Sequence, residues 1–218
     1  MKIGIVGAGR IGGNLASLWA KQRHEVMLSY SRDPANLEQA ASAIGALASV
    51  GSVSQAVEFG EDAVLFSVPW TRIDEVLEEI GSDALDGKVV IDTTNQFGPN
   101  GVEELPDGKT AAQLNAERFG DGVHYAKAFN TLTAGFQGSA AGRTGDERVA
   151  MFYCTDSDEA RNTVKQLIRD MGFSPIDVGG LADAAVMEAP RREGAVYGEE
   201  FKKQEAIEFL EKARAGGG

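Results

Sequence analysis

Cysteine is almost missing from this chain. Cys154 stands alone, so one copy can form neither an internal disulfide nor a thiolate metal cluster, and no metal site is expected. Behind Met151-Phe152-Tyr153 it reads as a small buried hydrophobe on a strand. Histidine is nearly as scarce, with His24 and His124 only. His24 is expected near the surface at the start of a strand and His124 as a structural residue before another, neither with a proton-transfer role. No apolar run approaches the roughly 20 residues of a membrane helix. Glycines and Arg10 interrupt the opening segment too early for a secretory leader, which makes the cytoplasm the expected location. Positive charge is short: 21 Lys and Arg against 33 Asp and Glu leave a formal charge of −12. That balance disfavours nucleic acid and anionic membranes as partners, so an anionic ligand must be held by local groups.

What is present is a globular composition, 43% hydrophobic with 27 glycines in 218 residues, sufficient for one α/β domain and a tail. Residues 2–6 form a β-branched strand that runs into Gly7-Ala8-Gly9-Arg10-Ile11-Gly12-Gly13, and 14–22 then read as a helix. A strand over 25–30 follows, and Asp33-Pro34 offers an N-cap and a first-turn proline for a helix ending at Gly45. The pattern continues with strands at 47–50, 62–68 and 88–91, a small helix from Ser54 and an amphipathic one over 70–80. Residues 92–108, rich in Asn, Gly, Pro and Thr, read as a functional loop. Beyond it come a helix over 111–119, strands at 125–129, 149–154 and 174–178, and a helix over 157–171 capped by Asp156.

This alternation predicts an α/β fold, a Rossmann-type doubly wound and mostly parallel sheet, with a short helical C-terminal tail. Residues 1–180 are expected to form the nucleotide-binding domain. Residues 181–218 are expected to be a helical extension completing an acceptor site or a dimer contact, with helices over 181–188 and 200–214. The last helix should pack Ala206, Phe209, Leu210 and Ala213 on the sheet or on a second subunit.

Gly7, Gly9 and Gly12 match G-x-G-x-x-G directly after a strand and at the opening of a helix, the setting that the dinucleotide fingerprint requires. Gly7 suits the tight turn, Gly9 the close approach of a pyrophosphate and Gly12 close helix–strand packing, with the helix N-terminus turned to the anion. Ala8, Arg10 and Ile11 complete the turn, and Arg10 either adds charge near the phosphates or stands in solvent. Where an NAD site usually carries an acid, the second strand ends in Ser31-Arg32. A hydroxyl and a guanidinium suit a 2′-phosphate, which points to NADP; Asp33 is assigned to the N-cap rather than the ribose.

Gly7 to Gly12, Ser31-Arg32, Val68-Pro69-Trp70, Lys127-Ala128-Phe129-Asn130-Thr131 and Asp177-Val178-Gly179-Gly180-Leu181 together resemble the NADPH-dependent F420 reductases, over about residues 1–190. The chain is also similar to the soluble N-terminal oxidoreductase domain of the STEAP metalloreductases. The resemblance implies NADP lying along the carboxyl ends of the strands, with Ser31 and Arg32 on the 2′-phosphate and Ser67, Val68 and Pro69 beside the cofactor. It also implies that Ala128 to Leu132, including Asn130 and Thr131, flank the nicotinamide. Sheet geometry separately brings Asn95 and Asn130 to that edge, each as a cofactor contact or as a turn-capping asparagine. The segment from Glu188 to Gly198 departs from the family's pattern in the region that contributes to the deazaflavin pocket. The acceptor therefore stays open between F420 and another flavin-type ring.

Hydride transfer between NADPH and such a ring needs two stacked rings shielded from water, and demands no catalytic side chain. Ser67 lacks a nucleophile elbow, and the pairs Glu78-Glu79 and Glu103-Glu104 read as solvated faces. The expected activity is an NADP-dependent oxidoreductase. The alternatives are an NADP-dependent dehydrogenase or reductase of small substrates and a non-catalytic NADP(H)-binding redox sensor. A small-molecule acceptor is the expected partner, with a homodimer supplying a second wall for a flat ring. Arg32→Ala is expected to raise the NADPH dissociation constant about tenfold and to leave that for NADH nearly unchanged, measured by fluorescence titration.

Overall fold

The computed structural model describes residues 1–31, 34–81 and 83–216. Arg32 and Asp33, expected to bind the 2′-phosphate and to cap a helix, lie outside the described residues. The chain alternates β1 (Lys2–Val6), α1 (Arg10–Lys21), β2 (Glu25–Ser29), α2 (Pro34–Ile44), β3 (Ala48–Val50), α3 (Val53–Phe59), β4 (Ala63–Phe66), α4 (Ile73–Ile80) and β5 (Val89–Asp92). A two-stranded hairpin, β6 (Phe97–Gly98) with β7 (Gly101–Val102), is followed by α5 (Ala111–Phe119), β8 (His124–Ala128) and α6 (Ala134–Ala140). The chain then forms β9 (Ala150–Cys154), α7 (Asp158–Asp170), β10 (Ser174–Gly179) and α8 (Lys203–Gly216).

Eight strands share one sheet in the order β10-β9-β8-β5-β4-β1-β2-β3. Neighbours are parallel except β8 and β9, which bears out a Rossmann-like, mostly parallel α/β fold. The central strands read as continuous apolar runs because both faces are covered. On one face α1, α2 and α7 bring Leu15, Trp19, Leu37, Val164 and Leu167 against Ile3, Ile5, Leu65 and Ile91. On the other, α3, α4, α5 and α8 bring Val57, Ile73, Phe119 and Leu210 against Val64, Phe66, Val90 and Phe152.

Several local expectations change. Helix α6 has no counterpart in the sequence reading, since Gly135 and Gly138 weaken any helical signal; Thr133 caps it by accepting from the Phe136 N–H. Ser157, not Asp156, caps α7 through the Ala160 N–H, while Asp156 Oδ1 accepts from the Leu181 N–H. Residues Leu181–Met187 form a 3-10 helix rather than an α-helix. A 3-10 turn, Trp70–Arg72, precedes α4. The tail packs on its own sheet. Ala206 and Leu210 are buried there, Phe201 meets Phe152 at 5.8 Å, and Ala213 stays exposed.

His24 is buried, not superficial, with Nε2 2.9 Å from Asp170 Oδ2 and Nδ1 without a hydrogen-bond partner among the described residues. Burial, aided by the N-terminal ammonium, lowers its pKa below 6.5 despite the pull of Asp170. The folded state therefore favours the neutral ring. Stability is complete above the unfolded value near 6.5 and declines as pH falls from there towards the lowered folded value. Melting curves between pH 7 and 5 are expected to fall more steeply for the native protein than for His24→Gln; superimposable slopes would refute this.

Candidate dinucleotide-binding site

The chain crosses from one side of β1 to the other between β3 and β4, so the crevice between the ends of β1 and β4 is the topological switch point of the sheet, where ligands of such sheets collect. The glycine turn fills it. Gly7 takes a left-handed φ of 104°, and a Cβ there would meet Ser67 O at 2.5 Å. A Cβ on Gly12 would come within 2.1 Å of Gly7 O, so α1 sits as close to the turn as backbone permits. Gly9 differs: its Cβ would face open space, with no heavy atom of the described residues within 4 Å. Gly9 is also the N-cap of α1, without a side-chain cap bond and without an acid in the first turn. The first N–H groups of that helix are thus turned outward, with the positive end of its dipole.

The structure sets Tyr30 and Ser67 against this turn, while Asn95 and Asn130 form a second group tied to the C-terminal segment. Ala8 and Ile11 are half-buried, and Arg10 is exposed. Ser31 follows Tyr30, which leaves β2 with φ 56°. Ser67 accepts from Thr93 Oγ1 at 3.0 Å, Val68 is buried and Pro69 exposed. Ala128 closes β8 fully buried, with its methyl in the core rather than on the edge. Asn95 and Asn130 are bonded to each other: Asn130 Nδ2 donates to Asn95 Oδ1 at 3.1 Å and Asn95 Nδ2 to Asn130 O at 3.0 Å. Both also hold the C-terminal segment, through Met187 O at 2.8 Å and the Ala189 N–H at 3.2 Å. Thr131 is buried, its carbonyl taken by the Gly198 N–H at 2.8 Å.

Behind these loops lies a charged group that the sequence reading missed. Lys127 Nζ, with no exposure, donates to Asp92 Oδ2 at 3.0 Å and to Thr94 O at 2.8 Å. Asp92 also accepts from Tyr125 at 2.6 Å and Asn115 at 2.8 Å, and from the Thr94 N–H. Burial would raise the Asp92 pKa, but the Lys127 ammonium and these donors hold it below the usual range. Burial and the neighbouring carboxylate push the Tyr125 phenol well up, so it stays a donor. Glu188 adds a third charge, 4.0 Å from Lys127, and accepts from the N–H groups of Ala111 and Ala112. One signal was available: a lysine inside the apolar segment Tyr125-Ala126-Lys127-Ala128-Phe129 can be buried only with an anion.

Other assignments resolve in the same way. Glu103 is not merely solvated: it accepts from Trp70 Nε1 at 2.9 Å, beneath a ring that Arg118 covers at 4.5 Å. His124 is structural, 3.0 Å from Ser157 Oγ. Cys154 is buried, and burial pushes its thiol up to about 12. Among the described residues no group of His, Cys, Asp and Glu could hold a metal, and no helix is long and apolar enough to cross a membrane.

Residues 2–96 match the family described as NADP oxidoreductase, coenzyme F420-dependent. The rat metalloreductase STEAP3 is 32% identical over 188 residues, 86% of this chain but 36% of its own length. The chain therefore spans about a third of that curated relative. Among solved structures, a hypothetical protein from Sinorhizobium meliloti superposes with a TM-score of 0.80 at 25% identity, covering 93% of this chain and 96% of its own. A protein from Arthrobacter whose structure is titled "putative F420 dependent NADP-reductase" gives 0.71 at 21% identity, with 84% and 87% covered. An imine reductase from Myxococcus stipitatus in complex with NADP+ gives 0.62 at 20%, with 85% and 57% covered. The resemblance to the F420-dependent oxidoreductases and to the STEAP reductase domain thus holds.

Two experiments separate the roles of the glycine turn and of the buried ion pair. Gly9→Ala is expected to melt like the native protein and to bind NADP(H) at least tenfold more weakly, whereas Gly12→Ala should lower the melting temperature outright. Lys127→Met, which leaves Asp92 buried without its cation, should cost about 3–5 kcal/mol in denaturant unfolding. Adding Asp92→Asn should recover much of that loss; a purely additive double variant would contradict the pairing.

Proposed function

We propose that the chain is an NADP-dependent oxidoreductase that binds NADP(H) along the carboxyl edge of the sheet and exchanges hydride with F420 or another flavin-type ring. The observation that carries the reading is the unfilled space over Gly9 at an uncapped helix N-terminus, beside two glycines whose own space is closed. A pyrophosphate would approach the backbone there, because no heavy atom of the described residues lies within 4 Å of where a Gly9 Cβ would stand. Ser31 and Arg32 lie in sequence where the 2′-phosphate would be held, Ser67 to Pro69 would lie beside the cofactor, and Asn95, Asn130 and Thr131 would border the nicotinamide end. When bound, the cofactor supplies the hydride. The protein orients it, excludes water from one side and leaves the opposite face to the acceptor. No side chain is assigned as acid or base.

The acceptor is read as a small planar molecule, with a second copy of the chain as its outer wall in the cytoplasm. The family match over residues 2–96 supports the nucleotide, and the Arthrobacter neighbour's description supports the deazaflavin as acceptor. Steady-state oxidation of NADPH with F420, FMN, FAD and ferric chelates tests the reading. Turnover with a ring acceptor is expected, and sedimentation at working concentration should return a dimer. Tight NADPH binding without turnover on any of them would make the chain a sensor instead.

A further inference from the structure

We infer that Glu188 is a positioning residue for the nicotinamide end of the site; this rests on the dinucleotide reading above. The backbone groups on either side of Glu188 decide how the two edge asparagines stand. The Met187 carbonyl can only accept, so Asn130 must turn its amide nitrogen to it, at 2.8 Å. The Ala189 N–H can only donate, so Asn95 must turn its amide oxygen to it, at 3.2 Å. Gln96 Nε2 secures the same segment through Ala189 O at 2.8 Å.

With both amides so oriented, Asn130 Oδ1 is buried with no hydrogen-bond partner among the described residues, and Thr131 Oγ1 on the next residue is in the same condition. Native proteins leave few such atoms unpaired without a ligand, an ion or water to meet them. A carboxamide offers an N–H donor and a carbonyl acceptor, the complement of an amide oxygen and a hydroxyl. A nicotinamide carboxamide brought to this edge is a ligand group that matches that pair.

What holds Met187 and Ala189 in place is the residue between them. The Glu188 carboxylate is 3% exposed, takes the Ala111 and Ala112 N–H groups at 2.9 and 2.7 Å, and faces Lys127 at 4.0 Å. Lys127 in turn holds Thr94 O, one residue before Asn95. Glu188 thus ties the C-terminal segment to both loops that carry the asparagines.

The test compares NADP+ with 2′,5′-ADP, which keeps the phosphorylated adenosine end and lacks the nicotinamide, by calorimetry on the native protein, Glu188→Gln and Asn95→Ala. Both variants are expected to bind NADP+ about tenfold more weakly and 2′,5′-ADP as the native protein does. Asn95 is only half-buried, so its variant carries the test should Glu188→Gln fail to fold. Parallel weakening of both ligands would mark a merely structural role and overturn the inference, as would unchanged binding of both. A native protein that binds neither ligand removes the dinucleotide reading itself, and this inference with it.

Discussion

The pairing of Lys127 with Asp92 in a site without solvent organises the carboxyl edge of the sheet. Two charges taken out of water are tolerated only where each has its counterion and the remaining donors and acceptors are met. Here they are met by Tyr125, Asn115, the Thr94 backbone and, further out, Glu188. The pair and its partners come from five pieces of chain: the adjacent strands β5 and β8, the loop after β5, helix α5 and the C-terminal segment. Satisfying one buried ammonium therefore sets the relative positions of the loops on which Asn95 and Asn130 stand.

The amino-terminal half is arranged by a different principle. Close backbone packing at Gly7 and Gly12 leaves the space over Gly9 free, and the uncapped start of α1 contributes its dipole. This local arrangement lets a chain with a formal charge of −12 offer an anion a favourable place. Field and packing act within one turn of helix, where the long-range charge of the rest of the protein is screened.

The reversal between β8 and β9 gives the carboxyl-terminal half its use. Because β9 runs against β8 and β10 follows β9, the chain leaves β10 into the 3-10 segment Leu181–Met187 and arrives beside Asn130 as a strap over the edge loops. The residues from Glu188 to Gly198, which departed most from the resemblance, are the ones that close on Asn95, Gln96 and Thr131. Phe97 and Val102, the exposed apolar pair of the hairpin, lie just beyond the same loop.

Much of this was legible beforehand, for physical reasons. Local signals carried the strand–glycine–helix opening, the continuous apolar strands and the helix over 111–119, because periodicity and turn chemistry act between near neighbours. Helix α6 was hidden by its glycines, and the antiparallel β8–β9 pair leaves no mark in either strand's pattern. Glu103 looked solvated because its partner, Trp70, is 33 positions away.

The sequence by itself determined the doubly wound class, the place of the glycine turn and the buried character of Cys154, each a property of short segments and their composition. Tertiary structure alone decided that Lys127, Asp92 and Glu188 meet, that the two asparagines lock each other and the C-terminal strap, and that His24 is enclosed. Those facts depend on which distant segments share a low-dielectric interior, where an ion or an amide must find its partner across the chain because water is not there to serve.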